Sequence, residues 1–387
     1  LKPRLIIEKS SRVYEKIDKP LILVLSSMEE LGIKVNQKYL GILSKDFLDE
    51  AKKIEKQIYN ITGKEFNIGS PKQLGEILFL EMKIKGGKKT KTGTYSTDSG
   101  ILEDLSLQGH DIAKLVLDWR EVSKLRSTYT DALQKQIDDK TKRVHTSYAS
   151  ATTLTGRLSS NDPNLQNIPI RTEKGRQIRH AFVAEKNCKI VSFDYSQIEL
   201  RLAAEISQDN NFINAFVIGE DIHSSTAKEI FNIKDKDLNS EHRRKSKAIN
   251  FGILYGISPY GLAKQLSISN SEAKQYIENY FKRFPKIRDY MDLQINHAKT
   301  NNYVKTMFGR RCNIKGINDK NFAVRGFAER QSINAPIQGT AADIIKLSMI
   351  EIHKNIKEKK INAKMLLQVH DELVFEIAEN KIKESIP

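Results

Sequence analysis

The segment Gln368–Glu376, QVHDELVFE, decides how this chain folds, because its polar centre interrupts the apolar run MLLQVHDELVFEI at residues 365–377. The simplest structure for such a pattern is two short strands joined by a tight turn. A turn at His370-Asp371-Glu372 would place two carboxylates at the rim of a sheet. This segment alone leaves two alternatives open: the carboxylates are merely solvated, or they bind a partner.

The composition favours a polyanionic partner. The 387 residues include 64 Lys and Arg against 48 Asp and Glu, a formal charge of +16. Clustered cations gain free energy by displacing counterions from phosphates, so nucleic acid ranks first and an anionic membrane surface second. The first residues, LKPRLIIEKSSR, lack the apolar centre of a signal peptide, and no apolar run approaches the roughly 18 to 20 residues that a membrane span needs. Two cysteines, Cys188 and Cys312, exclude a disulfide framework and a cysteine zinc cluster. We therefore expect an intracellular chain of two or three domains.

Strand and helix patterns alternate over long distances. Helical periodicity covers 20–65, most of 209–300 and 320–358, and Ser70–Gln73 has the form of a capping box with Pro at the first helical position. Strands are expected at KIVSFD, residues 189–194, and in the terminal hairpin. The fold class is therefore α+β, with a sheet assembled from distant segments.

A basic segment rich in Gly, Thr and Ser, KGGKKTKTGTYSTDSG, occupies residues 85–100. It predicts a mobile loop. The loop either is a solvated surface feature or grips a phosphate backbone, and it lacks the spacing of a P-loop.

Asp194 ends the predicted strand KIVSFD, and Ser196–Glu199 has capping-box form, so a helix should begin just beyond the acid. If Asp194 and Asp371 lie on adjacent strands, about 4 Å apart, their charges repel by roughly 4 kcal/mol at an effective dielectric near 20. A divalent cation between them would relieve that repulsion. Carboxylate and carbonyl oxygens favour Mg²⁺, or Mn²⁺ in its place. The alternative is a structural ion pair with a nearby Lys or Arg.

Four residues spaced four apart, Arg243, Lys247, Phe251 and Tyr255, share one face of a predicted helix. Two cations followed by two aromatic rings match a nucleoside triphosphate laid along the helix. A glycine follows each ring and would permit close approach of another backbone or a ligand. The alternative is a half-exposed helix whose aromatic rings pack into the core.

These segments resemble the family A DNA polymerases, the DNA polymerase I family, over essentially the whole chain. The resemblance rests on six motifs in order. They are TGRLSSNDPNLQNIPIR at 155–171, SFDYSQIELR at 192–201, GEDIHSSTA at 219–227, RRKSKAINFGILYG at 243–256, INAPIQGTAADIIK at 333–346 and QVHDELVFE at 368–376.

The resemblance implies a right-hand polymerase fold with an antiparallel-sheet palm, helical fingers and a helical thumb. The implied divisions are an N-terminal segment at 1–34 leading into the palm, a thumb at 35–125, palm at 126–208 and 305–387, and fingers at 209–304. Relatives usually continue beyond the final ESIP, so the palm is expected to be cut short.

The resemblance also implies the activity: a template-directed DNA polymerase that adds deoxynucleotides to a primer 3′-hydroxyl and releases pyrophosphate, in replication and repair. Asp194 and Asp371 would hold two Mg²⁺ ions, replaceable by Mn²⁺, with the Tyr195 backbone carbonyl as a further ligand. Lys247 and Arg243 would complete the catalytic set, with Lys247 protonating the leaving group. Glu372 stays outside the catalytic pair.

The remaining site residues divide by what they would touch. The nucleotide contacts implied by the resemblance are His223, Arg243 and Lys247 at the phosphates, Phe251 stacking on base and sugar, and Tyr255, Glu199 and Gln197 beside the sugar. The DNA contacts implied are Arg157, Asn334, Gln338, His370, Arg120, Lys124, Asn164, Gln166 and Arg171.

The expected partners are primer-template DNA and deoxynucleoside triphosphates, with no membrane partner and a monomeric chain. The expected location is the bacterial cytoplasm, associated with the nucleoid, or an organelle. Proofreading is not expected, because no Asp-x-Glu motif occurs. Two alternatives remain: a DNA-binding protein that keeps the fold without chemistry, and a single-subunit RNA polymerase.

Overall fold

The structure is a computed structural model that describes residues 2–170 and 172–385. Helices dominate the described ranges, and strands are short. The helices are α1 Lys2–Ile7, α2 Ser11–Val13, α3 Lys19–Leu31, α4 Gln37–Thr62, α5 Pro71–Glu76, α6 Ser99–Leu107, α7 Asp111–Leu125, α8 Ala132–Lys135, α9 Glu173–Arg179, α10 Ile198–Ser207, α11 Asn210–Val217, α12 Ile222–Ile230, α13 Ser240–Leu254, α14 Pro259–Leu266, α15 Asn270–Arg283, α16 Pro285–Asn301, α17 Phe322–Glu358 and α18 Ile382–Ser385. The strands are β1 Ile33–Lys34, β2 Arg143–Val144, β3 Ser147–Ala149, β4 Ser159–Asn161, β5 Cys188–Asp194, β6 Tyr303–Lys305, β7 Arg311–Asn313, β8 Ala363–Val369 and β9 Glu372–Ala378.

The chain divides into two compact units. The larger unit comprises Leu1–Glu30, Tyr148–Asn161 and Val191–Pro387, and the smaller unit comprises Leu31–Ser147 and Asp162–Ile190. No helix of the described residues is long and apolar enough to cross a membrane.

The terminal hairpin has the form that its sequence predicts. Strands β8 and β9 pair antiparallel with Val369 opposite Glu372, so His370 and Asp371 form the connecting turn. His370 adopts a left-handed conformation with φ 55°. The sheet order is β5-β9-β8, so β9 pairs both with β8, its neighbour in sequence, and with β5 from the middle of the chain. An α+β fold with a sheet assembled from distant segments is therefore confirmed.

Two apolar clusters support the larger unit. One joins α3, α17 and the sheet through residues such as Leu21, Met349 and Phe375. The other joins α10 to α17 around Phe212 and Tyr280. Each fully buried side chain of this size contributes about 1.5–3 kcal/mol relative to exposure. The helices predicted for 209–300 and 320–358 are present because their apolar faces meet in these clusters.

Helix α17 carries Pro336 in its interior and is capped by Asn321, whose Oδ1 accepts from the Ala323 backbone N at 2.9 Å. Proline supplies no N–H, but the helix continues through it for six further turns. Asn334 and Gln338 lie four residues apart and so share one face of this helix.

The smaller unit is built on α4 packed against α7. Ser70 Oγ accepts from the Gln73 backbone N at 3.4 Å, so the predicted helix start is confirmed. The return bond of a capping box does not form on Ser70: Gln73 Oε1 accepts instead from the Asn67 backbone N at 2.9 Å. Residues 85–98 form neither helix nor extended strand, as predicted, apart from one bridge between Lys89 and Tyr95.

Candidate active site

Asp194 and Asp371 lie side by side at one edge of the three-stranded sheet. The backbone N–H of Tyr195, directly after β5, donates to the backbone carbonyl of Asp371 at 3.2 Å. Partial burial raises the pKa of Asp194, and the negative charges of Asp371 and Glu372 raise it further. Within residues 2–170 and 172–385, no Lys or Arg forms an ion pair with either aspartate. The adjacency that the family resemblance implies is therefore present, and among the described residues the ion-pair alternative is not.

The donor set at this edge fits a hard divalent cation. Asp194 and Asp371 offer carboxylate oxygens, and the Tyr195 carbonyl is a third oxygen of the kind that Mg²⁺ accepts. The described residues contain no group of three or more His, Cys, Asp or Glu side chains arranged to hold a metal. An ion here would thus take its remaining ligands from water or a substrate. Burial is the main cause of the raised pKa of Asp194, and repulsion from Asp371 and Glu372, which a cation would relieve, adds to it.

Glu372 points along the strand to a different partner. Its Oε1 accepts from the Ser192 hydroxyl on β5. It adds negative charge near Asp194, but its own carboxylate is already hydrogen-bonded.

Glu199 forms the centre of a buried polar cluster, and the capping box predicted at Ser196–Glu199 is wrong. Helix α10 begins at Ile198 after Gln197, which is left-handed with φ 55° and makes no side-chain cap. Glu199 is 8% exposed and accepts from Arg157 Nη2 on one oxygen and from the Tyr255 hydroxyl on the other. A buried carboxylate is stabilised more by a guanidinium and a phenol than by one backbone N–H at an exposed helix end.

Tyr255 is held protonated in this cluster. Burial raises the pKa of the Tyr255 phenol above its ordinary value, and the Glu199 charge raises it further. The Gln338 side chain also hydrogen-bonds Tyr255. Four residues expected at the nucleotide and the nascent pair, Arg157, Glu199, Tyr255 and Gln338, are therefore brought together.

Helix α13 presents the predicted cations, but Arg243 already has a partner. Its Nε and Nη2 donate to the two oxygens of Asp221 at 2.7 and 3.2 Å. Burial alone would raise the pKa of Asp221, yet hydrogen bonds from Arg243 and Ser224 lower it to about 2. Lys247, one turn further on, is exposed. A phosphate that binds Arg243 would thus replace or join Asp221.

The aromatic half of the predicted face continues to the helix end. Phe251 is half-buried, and its ring centroid lies 6.0 Å from that of Tyr255, the residue that caps α13. Other parts of the chain approach both glycines closely. A Cβ on Gly252 would lie 3.1 Å from Ile257 Cγ2, and one on Gly256, which is left-handed with φ 70°, would lie 3.1 Å from Arg330 Cγ. The close approach of another part of the chain is therefore present, and the approach of a ligand stays a prediction.

His223 is buried on α12 beside this face. Its ring centroid lies 5.9 Å from that of Phe251, and its Nδ1 lies 3.0 Å from the Asn250 side-chain amide. Burial lowers the pKa of His223 to about 4; Asp221 opposes the shift, and Arg243 and Lys247 add to it. At neutral pH the free protein therefore carries an uncharged imidazole here, which offers hydrogen bonds and no positive charge.

We expect His223 to remain neutral from pH 8 to below pH 5, because its folded-state pKa of about 4 lies below the ordinary 6.5. The contribution of the neutral ring to folding stability is therefore fully present above pH 6.5 and is lost as the pH falls towards 4. NMR of the imidazole nitrogens measures this titration, and His223→Gln identifies the signal by removing it. A midpoint near 6.5 for that signal would contradict the buried, uncharged assignment.

The expected DNA contacts lie in both units. In the larger unit, His370 is exposed on the hairpin turn, and Asn334 Oδ1 is buried without a hydrogen-bond partner among the described residues. In the smaller unit, Arg120 donates to the backbone carbonyl and the hydroxyl of Thr97 at 2.5 and 3.0 Å. Lys124 is exposed one turn further along α7.

Two further expected DNA contacts, Asn164 and Gln166, belong to one loop of the smaller unit. Asn164 Oδ1 accepts from the Gln166 backbone N at 3.0 Å. Arg171 lies outside the described residues.

Sequence patterns missed the residues that orient the site. Asp221 holds Arg243, and Asn250 contacts His223. Both stand inside the quoted motifs, but no spacing rule distinguishes them from ordinary polar residues. Their partners lie more than twenty residues away in sequence.

Comparison with known proteins gives consistent similarities. The family model for DNA polymerase family A matches residues 37–386. DNA polymerase I of Rhizobium leguminosarum is 51% identical over 389 residues, covering 100% of this chain and 38% of that protein. DNA polymerase I of Geobacillus stearothermophilus is 46% identical, covering 97% and 43%. The chain thus spans about two fifths of these curated relatives.

A solved structure matches at the level of the fold. The POL domain of Pol1 from M. smegmatis, in complex with DNA primer-template and dNTP, superposes with a TM-score of 0.93 at 42% identity. The match covers 98% of this chain and 67% of that one. The polymerase fold that the six motifs predicted is therefore confirmed.

Proposed function

Because this chain belongs to DNA polymerase family A, we propose that it is a template-directed DNA polymerase that adds deoxynucleotides to a primer 3′-hydroxyl. The observation that carries the proposal is the adjacency of Asp194 and Asp371 without a basic partner. Two uncompensated carboxylates at a sheet edge suit the binding of cations that a nucleotide brings with it. The complex of the similar POL domain with primer-template and dNTP supports the same substrates for this chain.

Asp194, Asp371 and the Tyr195 carbonyl would hold two Mg²⁺ ions, with Mn²⁺ able to replace them. When bound, such ions activate an attacking oxygen and stabilise charge on a departing one. The protein's own contribution is to fix the carboxylates at the strand end and on the hairpin turn. Rigid placement on a sheet keeps the reacting groups aligned, and such alignment can lower the barrier by about 7–11 kcal/mol.

The cations of α13 would receive the triphosphate. Arg243 binds carboxylate oxygens in the free protein through a forked geometry that suits phosphate equally well. Lys247, exposed next to it, would donate a proton to the leaving pyrophosphate. His223 would contribute a hydrogen bond from its uncharged ring, while Phe251 would stack on the base and sugar.

Glu199 and Tyr255 would close the pocket beside the sugar, with Gln197 at the start of the same helix. Their hydrogen bond fixes the carboxylate in one position and leaves it little freedom to move away from an added group. A 2′-hydroxyl would then meet an occupied space. This selects deoxynucleotides and argues against an RNA polymerase.

Glu199→Ala is expected to reduce the preference for deoxy- over ribonucleotides about 10- to 200-fold, the range that one small group in a pocket supplies. Single-nucleotide incorporation with dNTP and rNTP in parallel measures the ratio of kcat/KM. Glu205→Ala, an exposed glutamate on the same helix, serves as the matched control. A native protein that already prefers ribonucleotides would contradict the substrate assignment.

The DNA would contact both units. Arg157, Asn334, Gln338 and His370 would meet the primer end and the nascent pair from the minor groove, where acceptors are nearly common to all correct pairs. Arg120, Lys124, Asn164, Gln166 and Arg171 would hold the backbone and the bases near the terminus. The thumb is proposed at 35–125, the fingers at 209–304, and the palm at 126–208 and 305–387, preceded by the segment 1–34. We propose a monomer, associated with the nucleoid in the bacterial cytoplasm and acting in replication and repair without proofreading by this chain.

Primer extension with Mg²⁺ tests the proposal. A labelled primer on a template with a defined next base should gain one residue only when the complementary dNTP is supplied, and a chelator should abolish the product. A primer that stays unextended while the DNA is retained at low salt would contradict the proposal and favour a protein that only binds DNA.

A further inference from the structure

A buried ionic cluster lies in the larger unit beneath the loop that carries Arg157. Its members are Asp18, Arg310, Asp343 and Lys346, hereafter the ionic cluster. Arg310 donates through Nη1 and Nη2 to the two oxygens of Asp18 at 2.9 and 2.8 Å, and through Nε to Asp343 at 2.7 Å. Lys346 Nζ donates to Asp18 at 3.2 Å. Two positive and two negative charges are thus joined through three segments distant in sequence.

The hydrogen bonds of the ionic cluster fix a single arrangement of its side chains. The Asp343 side chain is fully buried, and its second oxygen accepts from the Thr306 hydroxyl at 2.8 Å. Thr306 Oγ1 in turn accepts from the Arg310 backbone N at 3.0 Å. All three nitrogens of the Arg310 fork that face the two carboxylates are used, which fixes the guanidinium plane. A lysine could satisfy one carboxylate at this position, because its ammonium is a single point charge.

The Thr155–Arg157 loop packs against the Arg310 side chain and α17. Gly156 is left-handed with φ 79°, and a Cβ there would lie 2.7 Å from Arg310 Cδ. On the other side, a Cβ on Gly339 of α17 would lie 2.9 Å from the Thr155 carbonyl oxygen. The backbone that precedes Arg157 is therefore in direct contact with the Arg310 side chain and with α17.

Arg157 follows immediately, and its guanidinium reaches Glu199, which also binds Tyr255. Because the Gly156 backbone packs against Arg310, a change in the Arg310 side chain is expected to displace the backbone that carries Arg157. The Arg157 side chain is 39% exposed, and that of its partner Glu199 is 10% exposed. These contacts connect Arg310, which lies outside the site, to Glu199 through Arg157.

We infer that the ionic cluster is a positioning device for sugar selection: Arg310 sets Arg157, and Arg157 holds Glu199 in the space that a 2′-hydroxyl would occupy. The inference deepens the proposed function and rests on it. Buried ion pairs stabilise a fold no better than apolar residues of the same size, so a requirement for geometry accounts for this one better than a requirement for stability. Arg310 and Gly156 are positioning residues, since neither contacts the expected substrate.

Arg310→Lys tests the inference, because it keeps the charge and loses the fork. The readout is the ratio of kcat/KM for a dNTP to that for the matching rNTP. We expect the ratio to fall about tenfold, a coupling of the size found between contacting residues. A purely structural role would lower the active fraction and so reduce both rates equally, leaving the ratio unchanged. Arg4→Lys, at an exposed pair with Glu8 at 2.9 Å, is the matched control and should not change the ratio.

A double-mutant cycle tests whether Arg310 affects sugar selection through Arg157. If Arg310 acts through Arg157, then Arg310→Lys should have no further effect on the ratio in the Arg157→Ala background. Gly156→Ala, whose added Cβ would lie 2.7 Å from Arg310 Cδ and so force the loop and Arg310 apart, should reproduce the effect of Arg310→Lys. An unchanged ratio in Arg310→Lys, or additive effects of Arg310→Lys and Arg157→Ala, would overturn the inference. Failure of the native protein to incorporate any nucleotide would instead contradict the proposed polymerase function.

Discussion

Replacing Asp194 or Asp371 by Ala is expected to slow nucleotide incorporation at least about a thousandfold, roughly 4 kcal/mol of barrier. Among the described residues, the carboxylates of Asp194 and Asp371 lie at the sheet edge without a hydrogen-bond partner, whereas Glu372 is held by Ser192, so neither aspartate can substitute for the other. Asp194→Asn and Asp371→Asn keep the side-chain shape and remove the charge, and they should lose nearly as much. Single-turnover incorporation with saturating Mg²⁺ and dNTP measures the chemical step.

DNA binding should survive all four substitutions. Affinity for the phosphate backbone comes from Lys and Arg, and removing a negative charge near the primer end does not weaken it. Asp139→Ala, at a fully exposed aspartate of the smaller unit, is the control and should incorporate nucleotides normally. Normal turnover in an Asp194 or Asp371 variant would remove the basis for assigning the metal ligands.

Arg310→Met is expected to destabilise the larger unit by about 3–5 kcal/mol, the cost of leaving one member of a buried ion pair without its partner. Burial alone would lower the pKa of Arg310, but hydrogen bonds and charge attraction from Asp18 and Asp343 raise it above its ordinary value. Without the guanidinium, Asp343 keeps only the Thr306 hydroxyl and the distant charge of Lys346. Urea unfolding followed by circular dichroism measures the change.

In the double variant that combines Arg310→Met with Asp343→Asn, the second substitution should recover part of that loss. It removes the unpaired charge and keeps the bond to Thr306. Arg4→Met, at an exposed pair, should leave the free energy of unfolding nearly unchanged. A destabilisation of Arg310→Met as small as that of Arg4→Met would show that the buried pair does not have the strength its geometry indicates.

The features that can be predicted from the sequence are those that depend on residues close together in the chain. QVHDELVFE specifies a hairpin because the polar turn and the apolar strands are contiguous, and the turn falls at His370-Asp371 as expected. The start of α5 at Pro71 follows from Ser70, whose hydroxyl caps a backbone N–H three residues ahead. Local hydrogen bonds and local periodicity can therefore be predicted from the sequence alone.

The features that sequence rules misjudge depend on partners far along the chain. Glu199 satisfies the spacing of a capping box, yet Arg157 and Tyr255 compete for it successfully because the site is buried. Asp18 meets Arg310 and Lys346 across most of the chain, and no spacing signals that contact. The adjacency of Asp194 and Asp371 follows only from the family motifs, because no local sequence pattern specifies which distant strands pair with each other.

Anomalous diffraction from Mn²⁺, in crystals grown with primer-template DNA and an unreactive dNTP, tests the central claim most directly. We predict manganese density between the carboxylates of Asp194 and Asp371, within reach of the Tyr195 carbonyl and the triphosphate, and its loss in Asp371→Asn. Manganese bound elsewhere on the chain, with both carboxylates free of metal while the nucleotide is in place, would contradict the account.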